Sequence, residues 1–438
     1  METNNFNPPS IDHSNSSFIP KKFQIYIKFI FIFFIMLLLL IPVEWIKSII
    51  FERQTMKKEA TQQVSASWGD AQIICTPIIY IPYTDEKGYL FKSFFSPNKS
   101  TFDNNLKTEI RKLGIFNSVV YSNQSKISSK FDFTNLPYSS KRKYLLNEAK
   151  LILGISDSKK INSNLNCIFN GKNIKLLPSQ EFFTNFGNTL ICGIDLVGQS
   201  NAEFNFDFTL RGSNSLSYKC LGDETAVNVT ADWPSPSFIK GNLPVKKTIN
   251  DSGFQSSWEL NYLNTSSPNN WSENEFIVLN QKENIVIDLI EPTNHYSMNN
   301  RTIKYAFLVI SLCFFSIIIF EVFKKIKLHP FQYLLVGLEL TIFYLLLISL
   351  TEHLPFGTSY IISASSVILI IVIYIHAYAK NIKLTMLFGF SQVFLFSYIF
   401  VLLNLEDFAL LIGAIGLFII LSSFMILSRK INWYQLQS

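Results

Sequence analysis

The residues that could carry out chemistry are few and scattered along the chain. The sequence of 438 residues contains five histidines, and no two of them have the i, i+4 spacing of a helical zinc site. It contains no Cys pair with zinc-type spacing, no phosphate-binding glycine loop and no G-x-S-x-G nucleophile motif. The sequence therefore predicts a protein that is not an enzyme and that holds no cofactor and no metal.

Glu339 is the most unusual titratable residue, because it lies near the middle of a long apolar segment. A carboxylate at that depth in a bilayer costs about 2.5–3.5 kcal/mol on insertion scales. One interpretation is a proton or substrate site that faces a cavity. The other is a neutral carboxyl group that bonds a neighbouring helix, near Tyr344, Gln392 or Tyr398. The second is favoured, because isolated polar groups commonly hold transmembrane helices together.

Other charged residues lie at the ends of apolar segments. Glu352 and His353 follow the segment that contains Glu339, where an imidazole with an ordinary pKa of about 6.5 can respond to pH. A solvated pair at the membrane surface is the favoured interpretation. Glu321 precedes Lys324 and Lys325, a spacing that predicts an ion pair within one helix.

The cysteines fall into two groups. Cys313 lies in an apolar segment, whereas Cys75, Cys167, Cys192 and Cys220 lie in the polar middle of the chain. In an oxidising compartment these four are candidates for disulfides, with three possible pairings among which the sequence does not choose.

Six apolar segments must position these residues. At 48% hydrophobic content the chain is too apolar for an ordinary soluble protein. Each segment has about 20 residues, enough to cross a hydrocarbon core of about 30 Å. The segments are 23–43, 305–323, 331–350, 357–378, 384–403 and 408–427. The first predicts an uncleaved anchor rather than a signal peptide, because it is long and no small-residue cleavage site follows it. Helical spacing continues over 46–63.

Basic residues mark one side of these segments. Loops 351–356 and 404–407 contain no Lys or Arg, whereas the opposite ends carry Lys21, Lys22, Lys380, Lys383, Arg429, Lys430 and the lysines of 324–327. The positive-inside rule then places both termini in the cytoplasm and the middle of the chain outside. The net charge of +6 is modest and the lysines are gathered beside apolar segments, so no nucleic-acid partner is expected.

The polar middle of the chain has the pattern of β-strands. Apolar and polar residues alternate over 202–211, which places Phe204, Phe206 and Phe208 on one face. Further strands are predicted at 72–82, 188–197, 227–232, 256–262 and 285–289, and a helix at 139–150. Many short strands separated by turn residues favour a sandwich or an open barrel.

Several motifs resemble the CreD family of bacterial inner-membrane proteins. They include Ser67-Trp68-Gly69, Gly154-Ile155-Ser156-Asp157, Asp232-Trp233-Pro234-Ser235-Pro236-Ser237-Phe238, Leu243-Pro244, Gln332-Tyr333-Leu334-Leu335-Val336-Gly337 and Thr351-Glu352-His353. The similarity extends over about residues 46–434 in the order of the family. Cys75-Thr76, Asn294 and Glu339 depart from the family pattern. The resemblance implies an inner-membrane protein of cell-envelope integrity, linked to a two-component regulatory system, and it brings no catalytic residues.

Together these observations predict an α+β membrane protein. It has six transmembrane helices, one N-terminal and five C-terminal, with a large β-rich, sandwich-like periplasmic domain between helices 1 and 2. The predicted parts are a cytoplasmic tail (1–22), an anchor helix with a periplasmic extension (23–64), the β-rich domain (65–300), a five-helix membrane domain (301–430) and a cytoplasmic tail (431–438).

The expected function is non-enzymatic support of envelope integrity or of an envelope stress response. It would act through membrane lipids or unidentified envelope proteins, and the oligomeric state is left open. Trp233 and Phe238 belong to a Pro-rich segment that forms either a contact surface or, as favoured, a rigid packed turn. Two alternatives are a transporter or channel with Glu339 in its path, and an envelope sensor with a ligand-sized pocket.

Overall fold

The chain folds into two compact units. The computed structural model describes residues 21–134, 142–162, 165–182, 188–265, 269–272, 284–291, 295–324, 328–405 and 408–429. Met1–Gln54 and Thr293–Ser438 form one unit, called here the membrane unit, and Thr55–Pro292 form the other, the β-rich unit. The predicted tails, apart from residues 21 and 22, lie outside the described residues.

Long helices make up the membrane unit, and one of them continues into the β-rich unit. The described helices are α1 (Lys21–Leu38), α2 (Leu40–Trp68), α3 (Tyr262–Thr265), α4 (His295–Lys304), α5 (Ala306–Lys324), α6 (Pro330–Thr351), α7 (Phe356–Ala379), α8 (Ile382–Asn404) and α9 (Ala409–Ser428). Helix α2 passes the unit boundary at Gln54, and it contains the helical continuation predicted over 46–63.

The described helices include four that are long and apolar enough to cross a membrane, or five if the bent pair α4–α5 counts as one span. These are the continuous run Tyr26–Trp68, α6, α7 and α8, together with the pair, which bends by 48°. Helix α9 occupies the position of the sixth predicted segment. The presence of apolar helices long enough to cross a membrane is therefore confirmed, whereas the count of six spans stays a prediction.

Two helix breaks have local causes. Leu39 separates α1 from α2 because Pro42, in the first turn of α2, has no N–H to donate to the Leu38 carbonyl, and its ring crowds that carbonyl. The α4–α5 bend lies at Tyr305, where the backbone N–H bonds the Thr302 carbonyl three residues back. The Thr302 hydroxyl also donates to the Met298 carbonyl at 2.8 Å, a side-chain bond that commonly bends helices.

The β-rich unit contains two large sheets. Its described strands are β1 (Gln72–Cys75), β2 (Ile78–Thr84), β3 (Leu90–Phe95), β4 (Lys99–Leu113), β5 (Phe116–Asp132), β6 (Lys143–Tyr144), β7 (Lys150–Ile155), β8 (Asn166–Phe169), β9 (Lys172–Asn173), β10 (Leu177–Ser179), β11 (Asn188–Gly193), β12 (Asn201–Ser213), β13 (Ser215–Lys219), β14 (Glu224–Ala231), β15 (Pro236–Ser237), β16 (Lys246–Asn250), β17 (Gly253–Asn261), β18 (Asn270–Ser272) and β19 (Ile285–Leu289).

The first sheet has the order β15-β19-β13-β1-β7-β2-β3-β18, with β6, β10 and β11 attached at its side. The second has the order β16-β17-β14-β4-β5-β12-β8-β9. One hydrophobic core draws residues from both, such as Ile79 and Leu153 from the first sheet and Phe102 and Phe206 from the second. This packing gives the large β-rich domain that the alternating pattern predicts.

Strand β12 shows the alternation most clearly. Its burial alternates over 201–212, with Phe204, Phe206 and Phe208 all on the buried face. The strand pairs with β5 over its whole length, from Asn201 opposite Asp132 to Ser213 opposite Val120. Because side chains in a strand alternate between the two faces, the sequence pattern predicts which face packs on the core.

Two sequence predictions are corrected. Residues 72–82 form two strands, β1 and β2, because Thr76-Pro77 interrupts the ladder. The predicted helix at 139–150 is wrong over its described part, 142–150, which contains strand β6 and a single 3₁₀ turn at Leu146–Glu148. Pairing of β6 with Tyr83 and Thr84 of β2 overrides the local helical preference.

Gly337 allows a close helix contact in the membrane unit. A Cβ atom at this position would lie 2.1 Å from Leu39 Cδ1 and 3.0 Å from Phe314 Cζ. We expect Gly337→Ala to lower the free energy of unfolding by about 1–3 kcal/mol, because overpacking forces the helices apart. Thermal unfolding of the full chain in detergent measures this loss.

Gly357→Ala is the matched control. It adds the same methyl group to another helical glycine, where the nearest atom, Phe400 Cζ, is 3.9 Å away. We expect it to be neutral, or stabilising by up to about 1 kcal/mol through helix propensity. Equal melting temperatures for the two variants would show that the Gly337 contact is not tightly packed.

Candidate functional site

A charged cluster joins α1, α5 and α6 at one end of the helix bundle. Lys28 on α1 forms an ion pair with Glu321 near the end of α5. The Tyr333 hydroxyl, on the first turns of α6, donates to Glu321 Oε2 at 2.7 Å. The Lys28 ammonium also lies 5.7 Å from the centroid of the Tyr333 ring. One carboxylate is thus bound by side chains from two other helices.

The backbone of the α5–α6 connection completes this cluster. Lys28 Nζ donates to the Leu328 carbonyl at 2.7 Å, and the Leu328 N–H donates to Glu321 Oε1 at 3.2 Å. Helix α6 then starts with a capping box, in which His329 Nδ1 accepts from the Phe331 N–H and Gln332 Oε1 accepts from the His329 N–H. The carboxylate therefore has three donors, and the charges of Lys28 and Glu321 cancel.

A second ion pair lies beyond the other end of α6. Arg53 Nε on α2 is 3.3 Å from Glu352 Oε1, and the Glu352 side chain is only 14% exposed. His353 is exposed, and no bond between it and Glu352 occurs among the described residues. The predicted Glu352–His353 surface pair is therefore corrected, because the carboxylate turns towards the guanidinium of α2.

The two ion pairs hold the N-terminal helices against α5 and α6 at separate levels. Lys28 and Arg53 are 25 residues apart in a helical run, which corresponds to about 37 Å. A hydrocarbon core is about 30 Å thick, so this separation is comparable with the thickness of a bilayer. Between them Leu39 packs on Gly337. The arrangement can fix the register of the first helix; it has no free base or nucleophile.

Sequence reasoning missed Lys28 and assigned Glu321 a different partner. Lys28 interrupts the apolar segment 23–43, and an ionisable residue inside such a segment indicates a paired or functional charge. For Glu321 the sequence offered Lys324 and Lys325, whose side chains lie outside the described residues. The described partner is 293 residues away in the chain, a distance that helical spacing cannot reveal.

Glu339 lies at the edge of the buried face of α6. Val336 and Leu340 beside it are buried, Leu338 and Ile342 are exposed, and Glu339 itself is partly exposed. No hydrogen bond or ion pair links its carboxyl group to any described residue. The predicted bond to Tyr344 is not formed, because at 3.6 residues per turn the two side chains point about 140° apart.

The other two predicted partners of Glu339 are bonded elsewhere. Gln392 Nε2 donates to Ser316 Oγ at 2.6 Å, and the Tyr398 hydroxyl donates to the Ile412 carbonyl at 3.0 Å. These contacts join α8 to α5 and to α9. The role of holding helices together therefore belongs to neutral polar residues and to the two ion pairs, and Glu339 has no part in it among the described residues.

Trp233 and Phe238 are core residues of the β-rich unit, each 6% exposed. Trp233 Nε1 donates to the Ile290 carbonyl at 3.0 Å. The Phe238 ring packs edge-on against Trp258, with centroids 5.5 Å apart. Burial of both rings corrects their interpretation as a contact surface and matches that of a packed turn.

No disulfide joins the four described cysteines of the β-rich unit in the structure. Burial raises the pKa of the Cys167 thiol to about 12, and the nearby Cys192 thiol adds to this rise. Burial likewise raises the pKa of the Cys220 thiol, with a further contribution from Cys75. Cys167 thus has Cys192 as its neighbour and Cys220 has Cys75, which favours one of the three pairings if disulfides form.

A surface pocket of about 550 Å³ lies in the β-rich unit, within the size range of small-molecule sites. Its lining residues are Tyr80, Pro82, Asn147, Glu148, Ala149, Lys150, Gly193, Ile194 and Asp195. Lys150 forms an ion pair with Glu181 at 2.8 Å. Within the described part of the chain, no group of three or more His, Cys, Asp or Glu residues is arranged to hold a metal ion.

The Lys28–Glu321 pair makes a prediction about stability. Removing one partner, in Lys28→Met or Glu321→Gln, leaves the other charge without compensation in a poorly hydrated place. Because both side chains keep some exposure, 23% and 15%, we expect each change to cost about 1–3 kcal/mol, less than for a fully buried pair. The double variant should lose clearly less than the sum. Unfolding of the four proteins in mixed micelles measures the coupling.

The exposed pair Glu44–Lys47 on α2 is the matched control for this cycle. Its side chains are 68% and 55% exposed, and its coupling should stay below about 0.5 kcal/mol. If the coupling of Lys28 with Glu321 is no larger than that of the control pair, the cluster does not hold the helices together.

Comparison with known proteins gives the family. The family described as "Inner membrane protein CreD" matches residues 24–434. A relative with that name from Escherichia coli (strain K12) is 28% identical over 422 residues, 91% of each chain. A solved structure of a candidate protease from Parabacteroides distasonis ATCC 8503 is 11% identical to this chain. The match covers 50% of this chain and 45% of the other, and its TM-score of 0.24 is too low to show a shared fold. Because the family match covers both units, the chain belongs to the CreD family of inner membrane proteins.

Proposed function

We propose that this protein supports the integrity of the bacterial cell envelope, or its response to stress, without catalysing a reaction. Six transmembrane helices would hold the β-rich unit on the periplasmic side, where it acts through contacts with lipids or other envelope proteins. The observation that carries the proposal is the family match over 24–434, which includes the membrane unit and the β-rich unit together.

The charge distribution supports the sidedness of this proposal. The exposed Lys380 ends α7 in a left-handed conformation, and Lys383 lies in the first turn of α8. The connection between α6 and α7 contains Glu352 and no Lys or Arg. A basic connection at one end of α7 and an acidic one at the other is the asymmetry of the positive-inside rule.

Reporter insertions test the sidedness. Gly88 lies in the tight turn between β2 and β3, with φ +84°. No atom lies within 4 Å of a Cβ added there, so an insertion at this position should leave the sheets intact. We expect alkaline phosphatase inserted at Gly88 to be active and green fluorescent protein at the same place to be dark. Insertions after Lys380 are the control and should give the reverse pattern. A fluorescent Gly88 insertion would contradict the periplasmic location.

The pocket favours a second candidate function, that of an envelope sensor. The alternative function of a transporter or channel depends on Glu339. Gly193 lines the pocket, and a Cβ atom there would meet no other atom within 4 Å. Gly193→Phe therefore adds a ring at the wall of the pocket, where its Cβ atom has room. Glu339→Gln keeps the shape of the side chain and removes its charge.

One complementation experiment separates the three functions. We expect deletion of the gene to admit a large dye that intact envelopes exclude, and we expect the unaltered protein, Glu339→Gln and Gly193→Phe all to restore exclusion. Loss of function in Glu339→Gln at normal protein level would favour transport, and loss in Gly193→Phe would favour a sensor. Ile249→Phe, at an exposed position, is the control for an added ring. A deletion that leaves the dye excluded would contradict the envelope role.

A further inference from the structure

A long β-hairpin in the β-rich unit ends in an exposed apolar tip. Strands β4 and β5 pair from Lys99 opposite Lys130 to Leu113 opposite Phe116, and Gly114 makes the turn with φ +61°. Ile110, Leu113 and Ile115 are 48%, 41% and 44% exposed. The outer part of the hairpin therefore presents three large apolar side chains to its surroundings, although the inner part is paired on both sides by β14 and β12.

Contacts with α2 fix the direction of this hairpin. At the end of α2, Trp68 Nε1 donates to the Tyr121 carbonyl of β5 at 3.0 Å. The Arg111 guanidinium of β4 lies 3.9 Å from the centroid of the Trp68 ring. Eleven residues earlier on α2, Lys57 forms an ion pair with Glu291, and Asn117 of β5 donates to the same carboxylate at 3.3 Å.

These contacts mean that the hairpin runs back along α2. From Trp68 to Lys57 the helix covers about 16 Å, and from Tyr121 to Asn117 the strand covers about 13 Å, so the two elements progress together. The tip extends two or three residues beyond Asn117, about another 7–10 Å in the same direction. The tip therefore lies on the side of the β-rich unit from which α2 enters it.

The covalent connection keeps that side of the β-rich unit near the end of the apolar part of α2, because only a few residues separate the two. The apolar part of α2 ends at Phe51, six residues before Lys57 and about 9 Å along the helix. Arg53, immediately after it, pairs with Glu352 just beyond the apolar segment of α6.

We propose that the tip of the β4–β5 hairpin rests in the headgroup layer of the membrane surface from which α2 emerges. Leu113 and Ile115 contact the lipids, and the exposed Lys112, which has no ion pair among the described residues, approaches lipid phosphates. This contact secures the β-rich unit to the bilayer at a second place besides its chain connections. It deepens the proposed function by naming the lipid-binding part of that unit.

A lipid-borne quencher tests the contact in the full chain. In a Cys192→Ser background the four remaining cysteines are buried, so a cysteine introduced at residue 113 or 115 can be labelled selectively with a small fluorophore. The protein is placed in nanodiscs of phosphatidylcholine and phosphatidylglycerol that contain a headgroup-nitroxide lipid. We expect at least threefold stronger quenching at these two positions than at the control position, and weaker quenching when Lys112→Glu is added.

Leu263→Cys is the matched control. Leu263 is an exposed apolar residue at the end of the same sheet that lies away from the hairpin tip. Asn261, two residues before it, pairs with Glu224, and Glu224 pairs with Lys99 at the start of β4. Lys99 lies about 45 Å along the strand from Leu113. Equal quenching at 113, 115 and 263 would overturn the proposal. The quenching experiment tests only the contact of the tip with lipid. An absence of quenching would therefore not contradict the proposed function, which the complementation experiment tests.

Discussion

The structure depends on the cost of holding charge inside an apolar helix bundle. Lys28 and Glu321 would each be expensive beside lipid chains, and each is acceptable because the other neutralises it. The Tyr333 hydroxyl and the Leu328 backbone satisfy the remaining bonding capacity of the carboxylate. This requirement brings α1 to the connection between α5 and α6, although Lys28 and Glu321 are 293 residues apart in the sequence.

A second pair, Arg53 with Glu352, repeats the arrangement beyond the other end of α6. A helix held at both levels of the membrane cannot slide or rotate without separating a charge pair. Neutral contacts fill the space between, where Leu39 lies against Gly337. The bundle thus uses charge at its ends to set register and small residues in its middle to set distance, as expected where lipid supplies no hydrophobic driving force for association.

Helix α2 continues from the membrane unit into the β-rich unit. Its last turns belong to the β-rich unit, where the Trp68 ring lies between the guanidinium groups of Arg111 and Arg211 and its indole N–H bonds the Tyr121 carbonyl. Lys57 binds Glu291 near the point where the chain returns from the β-rich unit. These contacts hold the last turns of α2 within the β-rich unit.

The sequence by itself determined the elements that depend on periodicity. Apolar segments of membrane length predicted α5 to α9, and the alternation at 202–211 predicted β12 and its buried face, because both patterns are read within one element. The resemblance to the CreD family likewise follows from motifs that are contiguous in the chain.

Tertiary structure decided the partners. Glu321 pairs with Lys28 from a distant helix, Glu352 turns to Arg53 rather than to His353, and Trp233 is buried by the return of the chain at Ile290. Lys143 and Tyr144 are extended because β2 pairs with them. In each case the deciding group is far away in the sequence, and spacing along one element contains no information about which distant side chain will be brought beside it.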